Sequence, residues 1–191
     1  MDVIASSVPA PLMKVTAQLL FWPTLMWNHL LVYTSKGELS WYNAVYPLDN
    51  EHSRGKVILG GYPWSESILT DLRDGKVDVI LNTVAERSLD QKRVKNIQVI
   101  ELPMTDFIKP DLESVLAGVE LIESHVSNNK VVYVNCKAGK GRSSTIVMCW
   151  LILKKGLTAQ QAQSWLQSCR PQILRNLQDR DVVRKCASKS K

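Results

Sequence analysis

The stretch Val131–Lys155, VVYVNCKAGKGRSSTIVMCWLILKK, constrains this chain more than any other. It opens with Val131–Val134, β-branched and aromatic residues that suit a buried strand. Asn135–Ser143 then turns through two glycines, and Ile146–Leu153 is apolar for about two helical turns. Strand, glycine-bearing loop and helix N-terminus, in that order, gather unbonded N–H groups around one point and make a ready anion site. Cys136 stands at the strand end, at the mouth of that site. Arg142 follows six residues later, where the helix begins.

These residue types suit thiolate attack on a phosphate monoester. An unperturbed thiol has a pKa of ~8.5 and is mostly protonated at neutral pH. Surrounding N–H groups and a helix N-terminus stabilise the thiolate, and the same groups bind phosphoryl oxygens as Cys136 attacks phosphorus. Arg142 offers a planar fork that grips two oxygens. Gly139 and Gly141 permit close approach of backbone to ligand. Ser143 can donate to the sulfur and ease its departure. The candidate phosphate cradle is Lys137, Ala138, Gly139, Lys140, Gly141 and Arg142. Its two lysines favour a strongly anionic substrate, unless their side chains point to solvent. No metal or cofactor is expected. His29, His52 and His125 are scattered, and the four cysteines form no CxxC pair, which argues against a zinc site or a disulfide scaffold.

Such chemistry needs a proton donor for the leaving alkoxide and then a base for the attacking water, and one carboxyl group can serve as both. Asp106, in PMTDFIKP between Pro103 and Pro110, is the candidate. Asp111 is its rival, but it precedes a helical pattern, where a carboxylate complements the dipole.

The rest of the chain alternates strand and helix. VILGG (57–61), VDVILN (77–82), IQVIEL (97–102) and VVYVN (131–135) read as strands. Helices are expected from Ser65 to Leu72 and over a short turn capped by Ser88 with Gln91. Others are expected over 111–126, after Arg142 as far as Gly156, from a Thr158–Gln161 capping box to about Ser168, and over 176–187. The pattern predicts an α/β fold, a central, mostly parallel sheet flanked by helices, with Cys136 at a strand's carboxyl end. Residues 37–187 form the expected globular domain, and 188–191 a tail. Residues 1–14, with two prolines, read as a flexible leader, and 15–36 as an apolar helical segment. Residues 15–33 are nearly uncharged but interrupted by Gln18, Pro23, Asn28 and His29. A helix packed on the domain or lying on a membrane, a targeting segment and a true span all remain open. Net charge is +6, of which residues 170–191 carry +5; this basic run faces either water or an anionic membrane. No aromatic residue interleaves it, and no nucleic-acid partner is expected.

The loop Cys136–Arg142 resembles the signature loop of the cysteine-dependent dual-specificity phosphatases, and CKAGKGR is similar to that of their lipid-directed members. LLFWPTLMWN (19–28), the Trp41-Tyr42 pair, and Asn82 with Glu86 are similar to stretches of the mitochondrial phosphatidylglycerophosphate phosphatase family. That resemblance implies a phosphatase-like fold and a phosphocysteine mechanism. It implies an anionic phospholipid as substrate, with a phosphoprotein as the alternative. It places the chain at the matrix side of the mitochondrial inner membrane, with a cytoplasmic location as the alternative. It places the acid Asp about thirty residues before the Cys, where Asp106 stands, and Glu86 where it can hold Arg142, although an ordinary surface carboxylate also fits position 86. The chain departs from these families at Asn135, where they have His. A shorter side chain there is expected to brace the loop less, which opens a third reading: a phosphate-binding pseudophosphatase. Oligomeric state is not legible.

Overall fold

In the computed structural model, residues 9–48 and 55–189 are described. Five strands form one sheet: β1 (Tyr42–Tyr46), β2 (Lys56–Gly60), β3 (Val79–Val84), β4 (Gln98–Met104) and β5 (Val131–Asn135). Their order is β1-β2-β5-β3-β4, with β1 antiparallel to β2 and the other three junctions parallel. The expected α/β architecture is therefore present. β5 sits at the centre, paired on both sides, so its carboxyl end delivers Cys136 to the middle of the sheet edge.

Eight helices accompany the sheet among the described residues: α1 (Ala10–Leu19), α2 (Phe21–Thr34), α3 (Glu66–Asp74), α4 (Gln91–Val94), α5 (Leu112–Val126), α6 (Arg142–Lys155), α7 (Ala159–Cys169) and α8 (Asp181–Lys189). Side chains along a strand alternate between faces. Val132 and Val134 enter a core built with α5, α6, α7 and α8, centred on Ile146 and Trp150. Tyr133 and Ile80 enter a second core with Phe21 and Leu25 of α2 and Leu69 of α3. α6 lies in the first core and is buried from Arg142 to Ile152; its stretch Ile146–Ile152 is apolar on every side, as a buried helix must be.

Local signals explain most boundaries. Ser65 and Asp111 accept the N–H groups of Ile68 and Ser114 at the starts of α3 and α5. Thr158 and Gln161 form a full capping box at α7, and Gly156 ends α6 at φ 72°. Two expectations need correction, and one strand lay outside the sequence reading. Asp90, not Ser88, caps α4, by accepting from Lys92 N. The helix expected over 176–187 is a 3-10 turn, Leu177–Asp179, followed by α8 after extended backbone at Arg180. β1 carries little alternation and was not anticipated; its partner is β2, across a stretch that includes residues 49–54. α1 begins at Ala10, inside the segment read as a leader, while residues 1–8, His52 and residues 190–191 lie outside the described residues. Among the described residues no helix is long and apolar enough to cross a membrane.

The sheet core is expected to dominate stability. Leu81 of β3, fully buried between β4 and β5, leaves a cavity when truncated. Leu81→Ala should cost about 2–5 kcal/mol of unfolding free energy by urea titration. A loss well below that would mean that the core collapses around the gap.

Candidate active site

The loop from Cys136 to Gly141 is held from outside. Tyr62 N–H donates to Lys137 O at 3.1 Å, and Leu174 N–H to Lys140 O at 3.1 Å. Arg170 Nη2 donates to Ala138 O at 3.1 Å and its Nε to Gly139 O at 2.9 Å, where Ser144 Oγ also donates. Thr145 donates to Gly141 O from both its N–H and its hydroxyl. Every carbonyl from 137 to 141 is thus tied outward. In a trans peptide the N–H lies opposite the C=O, so these ties turn the following N–H groups toward the thiol. Gly139 sits at φ 65°, and a Cβ there would lie 2.5 Å from the Gly60 carbonyl and 2.8 Å from Arg170 Nη2; only glycine fits.

Cys136 is 4% exposed, and Ser143 Oγ donates to its sulfur at 3.2 Å. Burial pushes the thiol's pKa up. The Arg142 charge and the hydrogen bonds from the Ser143 side chain and backbone outweigh it and bring the thiol from 9.0 down to about 7.

Arg142 opens α6 and is itself buried. Its Nη1 donates to Glu86 Oε2 at 2.9 Å and to Met104 O at 2.6 Å. Its Nη2 lies 3.3 Å from Asp106 Oδ1, within ion-pair distance, yet makes no hydrogen bond. This buried nitrogen is left without a hydrogen-bond partner and can turn to a ligand. Glu86 also accepts the backbone N–H of Asp106 at 2.7 Å through its other oxygen. One carboxylate therefore fixes both Arg142 and the loop that carries Asp106. The Asp106 carboxylate bridges Arg142 and the Lys137 ammonium. Lys137 also lies over the Phe107 ring at 5.1 Å. Asp111 is engaged elsewhere: it caps α5, and hydrogen bonds from Ser114 hold its carboxyl below the usual range.

Lys140 points the other way, to Asn28 Oδ1 on α2 at 2.6 Å. Asn135 does not reach the loop. Its Nδ2 donates to Asn82 Oδ1 on β3 at 2.8 Å, its own Oδ1 is buried without a partner, and its carbonyl accepts from Thr83 Oγ1. The loop carbonyls from 137 to 141 are taken by other donors.

Sequence reasoning missed Arg170, which it grouped with a basic surface run. Arg170 is 1% exposed and spends all five N–H donors, on Ser40 O, Trp41 O, Asn43 Oδ1, Ala138 O and Gly139 O. The one available signal was its place just after the α7 pattern and before Pro171. Asn28 was missed as well, because it stood out only as an interruption of an apolar run. Cys149 is core, and the Cys186 thiol packs against it. Among the described residues no group of His, Cys, Asp and Glu is placed to hold a metal.

The thiol's environment has a measurable sign. A pKa lowered to about 7 leaves roughly half of Cys136 as thiolate at pH 7, against about 1% for a thiol at 9. Alkylation of Cys136 by a small haloacetamide should rise through an inflection near pH 7. Ser143→Ala should move that inflection upward. An inflection near 9 in the wild type would contradict the electrostatic account.

Residues 57–185 match the family described as dual specificity phosphatase, catalytic domain; α1, α2 and β1 precede that span. The chain is similar to phosphatidylglycerophosphate phosphatase PTPMT1 of Arabidopsis thaliana, 31% identical over 91% of this chain and 50% of that protein. It is 28% identical to phosphatidylglycerophosphate phosphatase PTPMT2 of the same plant, over 87% of this chain and 71% of that one. The tyrosine-protein phosphatase cdc-14 of Caenorhabditis elegans is 32% identical over 58% of this chain and 16% of its own length. The chain thus spans about half the length of the first of these relatives. Among solved structures, Tk-PTP in its active form matches with a TM-score of 0.64 at 22% identity, covering 78% of this chain and 99% of its own. PTPMT1 in complex with PI(5)P matches at 0.62 and 21%, covering 80% and 100%. These two carry the fold. With the Cys136–Arg142 loop lying inside the matched span, the chain belongs to the dual specificity phosphatase catalytic-domain family.

Proposed function

We propose that this protein hydrolyses a phosphate monoester through a phosphocysteine, and that its substrate is an anionic phospholipid, phosphatidylglycerophosphate first. The observation that carries the reading is the Cys136 thiol, hydrogen-bonded by Ser143 beneath a ring of outward-tied peptides and facing the open donor of Arg142. Sulfur attacks phosphorus, the bond from phosphorus to the leaving oxygen breaks, and Asp106 supplies the proton to that oxygen. Asp106, now a carboxylate, takes a proton from water as the water oxygen attacks phosphorus. The P–S bond then breaks, and Ser143 stabilises the departing thiolate.

The free protein keeps the Asp106 carboxylate between Lys137 and Arg142. A bound phosphate dianion competes for both cations. Glu86 stays bonded to Arg142 and fixes the guanidinium for this exchange.

The lipid reading draws on the similarity to the two plant phosphatidylglycerophosphate phosphatases and on the surface around the loop. Trp22, Met26, Trp27, Leu30 and Tyr33 of α2 are exposed, and Phe107 and Leu174, at the rim of the site, are exposed too. No carboxylate occurs between Asp2 and Glu38. An apolar face without negative charge suits an anionic lipid surface. Together with the family resemblance, this supports residence in the mitochondrion at the matrix side of the inner membrane. Subcellular fractionation tests it, and recovery in the cytosol would oppose it.

Phosphate release from phosphatidylglycerophosphate, phosphoinositides and phosphopeptides under one condition tests the substrate class. A preference for phosphopeptides would favour a protein phosphatase. Cys136→Ser should abolish turnover, and EDTA should leave it unchanged; survival of activity without the thiol would overturn the mechanism. Asp106→Asn should cost about 10²–10⁴ in kcat on the lipid, and much less on an aryl phosphate with a good leaving group. Equal losses on both would remove Asp106 from the role of acid.

A further inference from the structure

The charges around the catalytic loop divide into two sets. Arg142 and Lys137 face the carboxylates of Glu86 and Asp106. Lys140 and Arg170 have no carboxylate partner among the described residues. Arg170 is consumed by its five backbone and amide acceptors. Lys140 therefore carries the one uncompensated, partly exposed charge contributed by the loop.

Lys140 is nevertheless held. Asn28 Oδ1 takes one of its three ammonium donors at 2.6 Å, and the other two stay available. The amide that does this is itself fixed: Asn28 Nδ2 donates to Thr24 O at 2.7 Å, one turn back along α2. The helix beneath it is anchored by buried Phe21 and Leu25, and by His29 packed edge-on against Trp41 and Trp64. Phe21 also meets the Tyr62 ring at 5.5 Å, and Tyr62 N–H holds the carbonyl of Lys137. A carboxylate at position 28 would orient Lys140 equally well but cancel its charge. A neutral acceptor orients the ammonium and leaves the charge in place. Burial and the Arg170 charge disfavour protonated Lys140, and the nearby Cys136 favours it; an added anion acts in the favourable direction.

We propose that Asn28 is a positioning residue of the active site, holding Lys140 at the rim to bind a second anionic group of the substrate beside the scissile phosphate. This rests on the phosphatase reading above, with a phosphodiester as the second group. It makes α2 part of the specificity machinery as well as an apolar face.

The test is a binding measurement that needs no turnover. In the Cys136→Ser variant of this chain, calorimetry compares glycerol 3-phosphate with glycerophosphoglycerophosphate, soluble probes that differ in the added phosphodiester. Their use keeps any lipid contact of α2 out of the result. Asn28→Ala should weaken the diester-bearing probe about fivefold more than glycerol 3-phosphate, the size expected for one lost orienting hydrogen bond. Asn28→Asp keeps the tie but cancels the charge, and should weaken the same probe at least as much. Lys140→Met should reproduce the loss, and Asn28→Ala added to it should change nothing further. Equal weakening of both probes, wild-type affinity in Asn28→Asp, or an undiminished Asn28 effect without Lys140 would each overturn the proposal. Absence of turnover in the wild type would instead sink the phosphatase reading.

Discussion

The site depends on one buried guanidinium. Arg170 has no carboxylate partner among the described residues, yet every one of its donors is used, two of them on consecutive carbonyls of the Cys136–Arg142 loop. Burial lowers its pKa to about 10, with Tyr133 and Cys136 pulling the other way, so it remains charged at neutral pH. A buried cation is costly unless its hydrogen bonds are complete. Here they are complete only when Ser40–Asn43, the end of α7 and the loop at 138–139 all occupy their places. Satisfying Arg170 and aiming the loop are therefore the same event. Preorganised donors of this kind do most of the electrostatic work at such sites, because they need no rearrangement when charge develops.

Around that frame the chain keeps attraction and repulsion close to balance. Glu86 serves Arg142 with one oxygen and the Asp106 backbone with the other, which joins the segment after β3 to the segment after β4. Asp106 lies on both Lys137 and Arg142 in the free protein. On the proposed mechanism, a phosphate that enters replaces an internal anion and does not meet a bare cluster of cations. Lys140, tied to a neutral amide, stands outside this exchange.

Much of this was legible in the sequence because it was local. The strand Val131–Asn135, the glycine loop, the Thr158–Gln161 box and the Gly156 stop all act within a few residues. Cys136, Ser143 and Arg142 were legible for the same reason, since one turn brings them together. Asp106 and Glu86 were legible as candidates through chemistry and family likeness; their contact with Arg142 needed the sheet. What escaped was long-range. Arg170 meets residues 31 and 32 positions away in the loop and others about 130 positions away, and on its own it looks like any basic residue near a helix end. Asn28 reaches Lys140 across 112 positions. The expectation that Asn135 weakens the loop came from comparing side-chain sizes at one position. It did not include the donors Tyr62, Ser144, Thr145, Arg170 and Leu174, which hold the carbonyls from 137 to 141.

The most direct measurement separates the charge of Arg170 from its geometry. Arg170→Lys keeps the positive charge but replaces a five-donor planar fork with a single ammonium. Calorimetric titration with inorganic phosphate, alongside near-UV circular dichroism to confirm packing, compares it with the wild type. If the fork aims the loop, the folded variant should bind phosphate about tenfold to a hundredfold more weakly, the scale of charge-assisted hydrogen bonds lost to misaligned donors. Wild-type phosphate affinity in a folded Arg170→Lys protein would contradict the claim that Arg170 organises the site.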